Sequence, residues 1–186
     1  MVTVSLNSAK EVKYIKYVQD LLFSTINLKS RLYQHKESHT MKIILGSSRL
    51  LRGFEELGLK RGNKVALQAE VPDWIRENSE FTNRCVKGLL DTDGSAYFHR
   101  RLKEKRKTVE LNFSNKSLPL IQFFHDFCLR NTIATGGNYQ KGGSELFIYN
   151  RKGITKFFEL TDSEKIKNFH ILNKLDEMDL QNPLEL

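Results

Sequence analysis

Polar and apolar residues alternate in Thr3-Val4-Ser5-Leu6-Asn7, and apolar residues then recur at helical spacing over 10–23, with Val12, Ile15, Val18, Leu21 and Leu22 facing inward. The pattern predicts a strand followed by an amphipathic helix. Strand-like runs follow at 26–34 and 40–45, and a helix over 48–57 stops at Gly58. Beyond a junction at 66–78, the pattern predicts a helix at 78–92, strands at 95–102 and 107–113, a helix at 116–130, strands at 132–140 and 144–151, and helices from Ile154 onward.

The second half echoes the first. Thr3-Val4-Ser5-Leu6-Asn7 returns as Thr108-Val109-Glu110-Leu111-Asn112, and the run from Tyr14 to Asp20 returns from Leu120 to Asp126. Tyr33-Gln34 returns as Tyr139-Gln140, and Phe54-Glu55 as Phe158-Glu159. A spacing this steady marks an internal duplication. The complete copy reads α-β-β-α-β-β-α and occupies 78–186. The first copy, with its linker, occupies 1–77 and has only the second strand onward; its own leading helix and first strand are missing. An α+β fold is expected.

One stretch carries most of the chemistry: Val86-Lys87-Gly88-Leu89-Leu90-Asp91-Thr92-Asp93-Gly94. As a helix it puts the small residues Cys85, Gly88 and Thr92 on one face, where a second helix can approach closely. Its end places two carboxylates at the negative pole of its own dipole, which is unfavourable without a compensating cation. A helix-loop-helix calcium site is excluded. With Gly94 as the sixth loop residue, the first and twelfth ligand positions fall on Leu89 and Arg100, where acids are required.

The nine residues resemble the signature helix of the LAGLIDADG homing endonucleases. Gly88, Asp91, Asp93 and Gly94 match outright, whereas Lys87 stands where a small residue is usual. The run Gly62-Asn63-Lys64 with Val71-Pro72-Asp73-Trp74-Ile75 resembles the segment before the second signature helix of two-repeat members. The resemblance implies αββαββα repeats whose twisted antiparallel sheets form a DNA-binding saddle. It implies site-specific hydrolysis of double-stranded DNA with Mg²⁺ or Mn²⁺ held by Asp93 beside the Gly94 backbone, Asp91 bracing the helix end. It points to Lys64 as the basic catalytic residue of the first half and to Lys165 or Lys167 for the second, with Asn115 as a polar, water-binding or DNA-contacting side chain. No organic cofactor is implied. Intron or intein mobility is part of the same expectation, the coding context being an intron, an intein or a freestanding gene.

Charge fits that picture. Thirty Lys and Arg against 22 Asp and Glu leave a formal charge of +8, as expected of a protein with a polyanionic partner. Six of the nine residues from His99 to Lys107 are basic. The run lies where the resemblance places the groove-reaching loops, which makes Arg100, Arg101, Lys103, Lys105, Arg106 and Lys107 candidate DNA contacts, a β-ribbon being able to enter the major groove. Gln140 and Lys141, in the hairpin that matches Gln34-His35-Lys36, are added to them. His35 and His39 lack a third ligand, so zinc is not expected.

Cys85 and Cys128, isolated in apolar helical runs, read as core residues and not as a disulfide or a metal pair. No run approaches the roughly 18 apolar residues of a membrane span, and an intracellular protein is expected. The alternative function is a non-cleaving relative, either an RNA-splicing maturase or a DNA-binding remnant. The face Cys85-Gly88-Thr92 is expected to pair with a second copy or with a separately encoded leading fragment.

Overall fold

The computed structural model describes residues 1–9, 11–34, 38–101, 106–139, 144–168 and 170–174, with the side chains of 99–101, 106–108 and 168 left aside. It divides into two units, Met1–Lys60 and Arg61–Leu186.

In the first unit the alternating run forms β1 (Val2–Asn7), followed by α1 (Val12–Ile26), β2 (Arg31–Gln34), β3 (Thr40–Leu45) and α2 (Ser48–Glu56). β3 lies centrally, antiparallel to both neighbours, in the order β1-β3-β2. Leu6, Tyr14, Ile15 and Ile43 form its small core, with Val4, Val18, Leu22 and Met41 at the margin. Val12 and Leu21, expected inward, are exposed, because a three-stranded sheet covers only a narrow stripe of the helix. The strand expected from residue 26 starts at Arg31. The helix instead runs through Ile26, and Asn27, in the left-handed region at φ 51°, caps it by donating its N–H to Phe23 O. Ser47 caps α2, its hydroxyl accepting from Leu50 N at 3.1 Å.

The second unit holds α3 (Asp73–Arg76), α4 (Ser79–Asp93), β4 (Gly94–Arg101), β5 (Arg106–Ser114), α5 (Leu118–Arg130), β6 (Gly136–Gly137), β7 (Glu145–Ile148), α6 (Arg151–Thr161) and α7 (Glu164–Asn168). Its antiparallel sheet has the order β4-β5-β7-β6. Val109, Leu111 and Phe113 of β5 and Leu146 and Ile148 of β7 join Val86 and Leu90 of α4, apolar residues of α5 and two of α6 in one buried cluster. Phe124 stacks between Phe113 and Phe157 at centroid distances of 4.5 and 5.5 Å. The strand expected over 132–140 narrows to the pair Gly136–Gly137.

Residues 61–77, which include most of the junction expected at 66–78 and are expected to group with the first copy as its linker, belong with the second unit. Val71 enters its core, and Thr82 of α4 donates its hydroxyl to Ile75 O at 2.7 Å. Arg76 lies over the Phe123 ring, 5.2 Å from its centroid. Asn78 caps α4, accepting from Phe81 N at 3.0 Å. Among the described residues no helix is long and apolar enough to cross a membrane.

Candidate active site at the end of the signature helix

α4 delivers Asp93 to the edge of the sheet, and the chain turns at once into β4. Gly94 makes this possible. A Cβ there would lie 2.4 Å from Leu90 O and 3.1 Å from Asn112 O, so only glycine lets the strand leave so close beneath the last helical turn. Its backbone is extended, at φ −94° and ψ 170°. The requirement is therefore space, not a left-handed dihedral.

The two acids of the signature part company. Asp91 is buried, 1% exposed, and reaches the first turn of α7. It accepts from Ser163 Oγ, from Glu164 N at 3.1 Å and from Lys165 N at 2.9 Å. A carboxylate at the wrong end of its own helix thus caps the favourable end of another. Asp91 does brace, as expected, but its partner is α7. Lys87 lies one turn back on α4, its Nζ 3.7 Å from Asp91 Oδ2.

Asp93 remains accessible. Its Oδ2 accepts from Lys64 Nζ at 3.0 Å and from Asn115 Nδ2 at 2.7 Å, while Oδ1 accepts from neither. The helix end, which required a cation, has one in Lys64. The two side chains are 56% and 30% exposed, and such pairs are worth only about 0–1 kcal/mol. The pair can therefore open at little cost.

Lys64 reaches Asp93 because its loop is tied down. Asn63 Oδ1 accepts from Val65 N and Ala66 N at 2.9 and 3.3 Å, an Asx-turn. Gln68 clamps the turn before α5, donating to Lys116 O at 3.3 Å and accepting from Leu118 N at 3.0 Å. Ser117 donates its hydroxyl to Ala69 O. Asn115 sits in that same turn, its Oδ1 accepting from Ser117 N at 2.9 Å, so the amide hydrogens are left to face Asp93.

Lys165 and Lys167 separate clearly. Lys165, 9% exposed, donates Nζ to Gly94 O, one peptide beyond Asp93. Lys167 turns away to Asp162 and Glu164, and its hydrogen bond to Asp162 raises its pKa. The Gly94 carbonyl, expected to be a metal donor, thus carries an ammonium. Among the described residues, no three His, Cys, Asp or Glu side chains gather where they could hold a metal.

Two residues of the expected pairing face are open. Apart from its chain neighbours and the backbone of its own helix, no described atom comes within 4 Å of a Cβ built at Gly88, and Thr92 is exposed, its hydroxyl donating to Gly88 O at 2.8 Å. Cys85 is half-buried and packs partly on the core. Burial pushes its thiol up to about 11, against a smaller lowering effect of Arg76, and that of Cys128 up to about 12. Both are neutral core thiols at physiological pH.

Of the candidate DNA contacts, Lys103, Lys105, Gln140 and Lys141 lie outside the described residues, as do His35 and Lys36. Arg100, Arg101, Arg106 and Lys107 stand on the β4–β5 ladder, where Arg100 is opposite Lys107 and Arg101 opposite Arg106. Gln68, Ser117 and Ser163, which build the site, do not stand out in the sequence. Ser163, ahead of Glu164, carries the one available signal, that of a helix N-cap.

No family model and no curated protein matches the sequence. Solved structures do. I-DmoI in complex with DNA and Mn aligns over 86% of this chain and 79% of its own, at 17% identity and a TM-score of 0.54. Meganuclease I-SmaMI bound to uncleavable DNA aligns over 98% of this chain and 80% of its own, at 11% identity and a TM-score of 0.59. With its antiparallel sheets, the signature helix and this coverage, the chain has the fold of the LAGLIDADG homing endonucleases, a fold of DNA-binding nucleases.

Proposed function

We propose that the chain is a site-specific endonuclease that hydrolyses phosphodiester bonds of double-stranded DNA, using Mg²⁺ or Mn²⁺ held by Asp93. The observation that carries the reading is the accessible Asp93 carboxylate at the end of α4, with Lys64 and Asn115 on one of its oxygens. The donor set fits a hard dication that takes one or two carboxylates and fills its remaining positions with phosphate oxygens and water. The Lys64 ammonium already marks the place as one that draws a cation. When bound, the ion supplies a more acidic water and neutralises charge on the phosphate.

The chain's own groups do the rest. Asn115 fixes the carboxylate by donating to Oδ2. Lys64, released from Asp93, is placed to meet negative charge developing on the phosphate. Lys165 holds the backbone just beyond the acid. The β4–β5 hairpin, with Arg100, Arg101, Arg106 and Lys107, takes the flanking DNA. The open face at Gly88 is the surface proposed for pairing with another signature helix, and Gly88→Phe should abolish a dimer seen by light scattering.

Asp93→Asn tests the assignment. It should abolish metal-dependent cleavage and leave duplex affinity equal or tighter, since one charge that repels phosphate is gone. Equal cleavage rates in variant and wild type would overturn it. A second reading, a non-cleaving DNA- or RNA-binding relative, draws on the Gly94 carbonyl being engaged by Lys165; it predicts tight binding with no metal-dependent cleavage in either protein.

A further inference from the structure

Lys87 is the one residue of the signature stretch that departs from the expected small side chain, and its surroundings give it a task. Its side chain is only 14% exposed. The ammonium donates to Asp162 O and to Glu164 Oε1, the latter at 3.2 Å, and lies 3.7 Å from Asp91 Oδ2. It thus joins α4 to the corner between α6 and α7, where two carboxylates, Asp91 and Glu164, converge. Lys167 also reaches Glu164, at 3.3 Å, but from a more exposed position.

The corner bears directly on the site. Asp91 Oδ1 accepts from Lys165 N at 2.9 Å, and the side chain of the same residue reaches back to Gly94 O. The backbone of Lys165 is therefore pinned by one acid of the signature, and its ammonium is held at the carbonyl of Gly94, the residue that follows the other. Without Lys87, Asp91 and Glu164 face each other with less positive charge between them, at low exposure where repulsion is poorly screened. The α6–α7 corner would then ease away from α4, and Lys165 with it.

We propose that Lys87 is a positioning residue, which acts through Asp91 and the first turn of α7 to hold the Lys165 ammonium against Gly94 beside Asp93. The role rests on the nuclease reading for its catalytic meaning, but the placement of Lys165 can be measured without DNA. Competitive acetylation of the intact apo protein, read by peptide mass spectrometry, reports each lysine separately.

In Lys87→Met, labelling of Lys165 should rise about tenfold, because acylation reads the population of the opened ammonium. Labelling of Lys64 should stay unchanged, and Lys87→Arg, which keeps the charge, should restore protection. Single-turnover cleavage by Lys87→Met should fall at least about tenfold at unchanged duplex affinity, as displacement of a positioned group predicts. Unchanged labelling of Lys165 in Lys87→Met overturns the proposal, as does a rise shared by all lysines, which reports general loosening. If wild type cleaves no duplex while the labelling pattern appears as expected, the nuclease reading fails and the positioning of Lys165 stands.

Discussion

The two units follow the same course, which in the second is led by α4 and β4. β1-α1-β2-β3-α2 and β5-α5-β6-β7-α6 run in the same order, and their sheets are ordered alike, β1-β3-β2 and β5-β7-β6. α5 nevertheless buries six residues where α1 buries two. The difference is α4 with β4. In the second unit β4 pairs along β5, and α4 adds Val86 and Leu90 to the core. In the first unit β1 is an edge strand of its sheet. A leading helix and strand thus do two things at once: they complete a core, and they carry Asp93 to its place.

The largest effect expected from this contrast is in local stability. Amides of β1 and β3 should exchange at a lower opening free energy than those of β5 and β7, since small cores with little buried apolar surface open first. Hydrogen exchange followed by mass spectrometry checks this, and equal protection in the two sheets would mean that the first unit draws support from outside its own core. Within the second unit, Phe124→Ala should cost about 3–5 kcal/mol in urea denaturation, as expected for a fully buried aromatic stacked on both faces.

The two acids should diverge nearly as far. Asp91→Ala removes a buried carboxylate from three donors and from Lys87, a loss of about 3–5 kcal/mol. Asp93→Ala should change stability by less than about 1 kcal/mol, because its ion pair is half exposed. A denaturation series on both variants settles which acid is structural.

The two glycines of the signature sharpen the comparison further. Gly94→Ala should be destabilising, since a Cβ meets backbone atoms at once. Gly88→Ala, on an open helical position, should stabilise the monomer by about 0.4–1 kcal/mol; a decrease instead would mean that the face is occupied.

The thiols act only at alkaline pH. Both are raised above the usual value of 9.0 in the folded chain, to about 11 and about 12. The folded state therefore keeps its protons where the unfolded chain releases them. Stability is full below the unfolded thiol value and declines as pH rises from there through the folded values. Cys85→Ala with Cys128→Ala should flatten that decline, measurable as the midpoint of urea denaturation followed from neutral pH to beyond the unfolded thiol value. On the DNA side, Arg101→Gln with Arg106→Gln should lower the slope of log K against log salt by about 0.9 for each phosphate that is no longer neutralised.

Much of this was legible in the residues themselves. Alternation in Thr3 to Asn7 and again in Thr108 to Asn112 marked the strands that became β1 and the middle of β5. Gly88, Asp91, Asp93 and Gly94 placed the signature helix within a residue of α4. What was not legible depended on partners distant in the chain. Nothing local distinguishes Lys165 from Lys167, two residues apart on one short helix. Only the packing of α7 against α4 turns the first toward Gly94 and leaves the second with Asp162. The division of labour between Asp91 and Asp93 has the same origin, because burial under Ser163 and the α7 amides is a property of the fold.

Sequence by itself determined the order of elements, the basic run from His99 to Lys107 and the need for a cation at the end of α4, since these follow from periodicity and charge along one stretch of chain. Tertiary structure alone decided which cation answers that need. Lys64 is 29 residues from Asp93 in sequence, and it arrives there because Gln68 and Ser117 stitch its loop to the turn that holds Asn115. Which charges meet is set by how the backbone is folded and hydrogen-bonded, and no local pattern encodes that meeting.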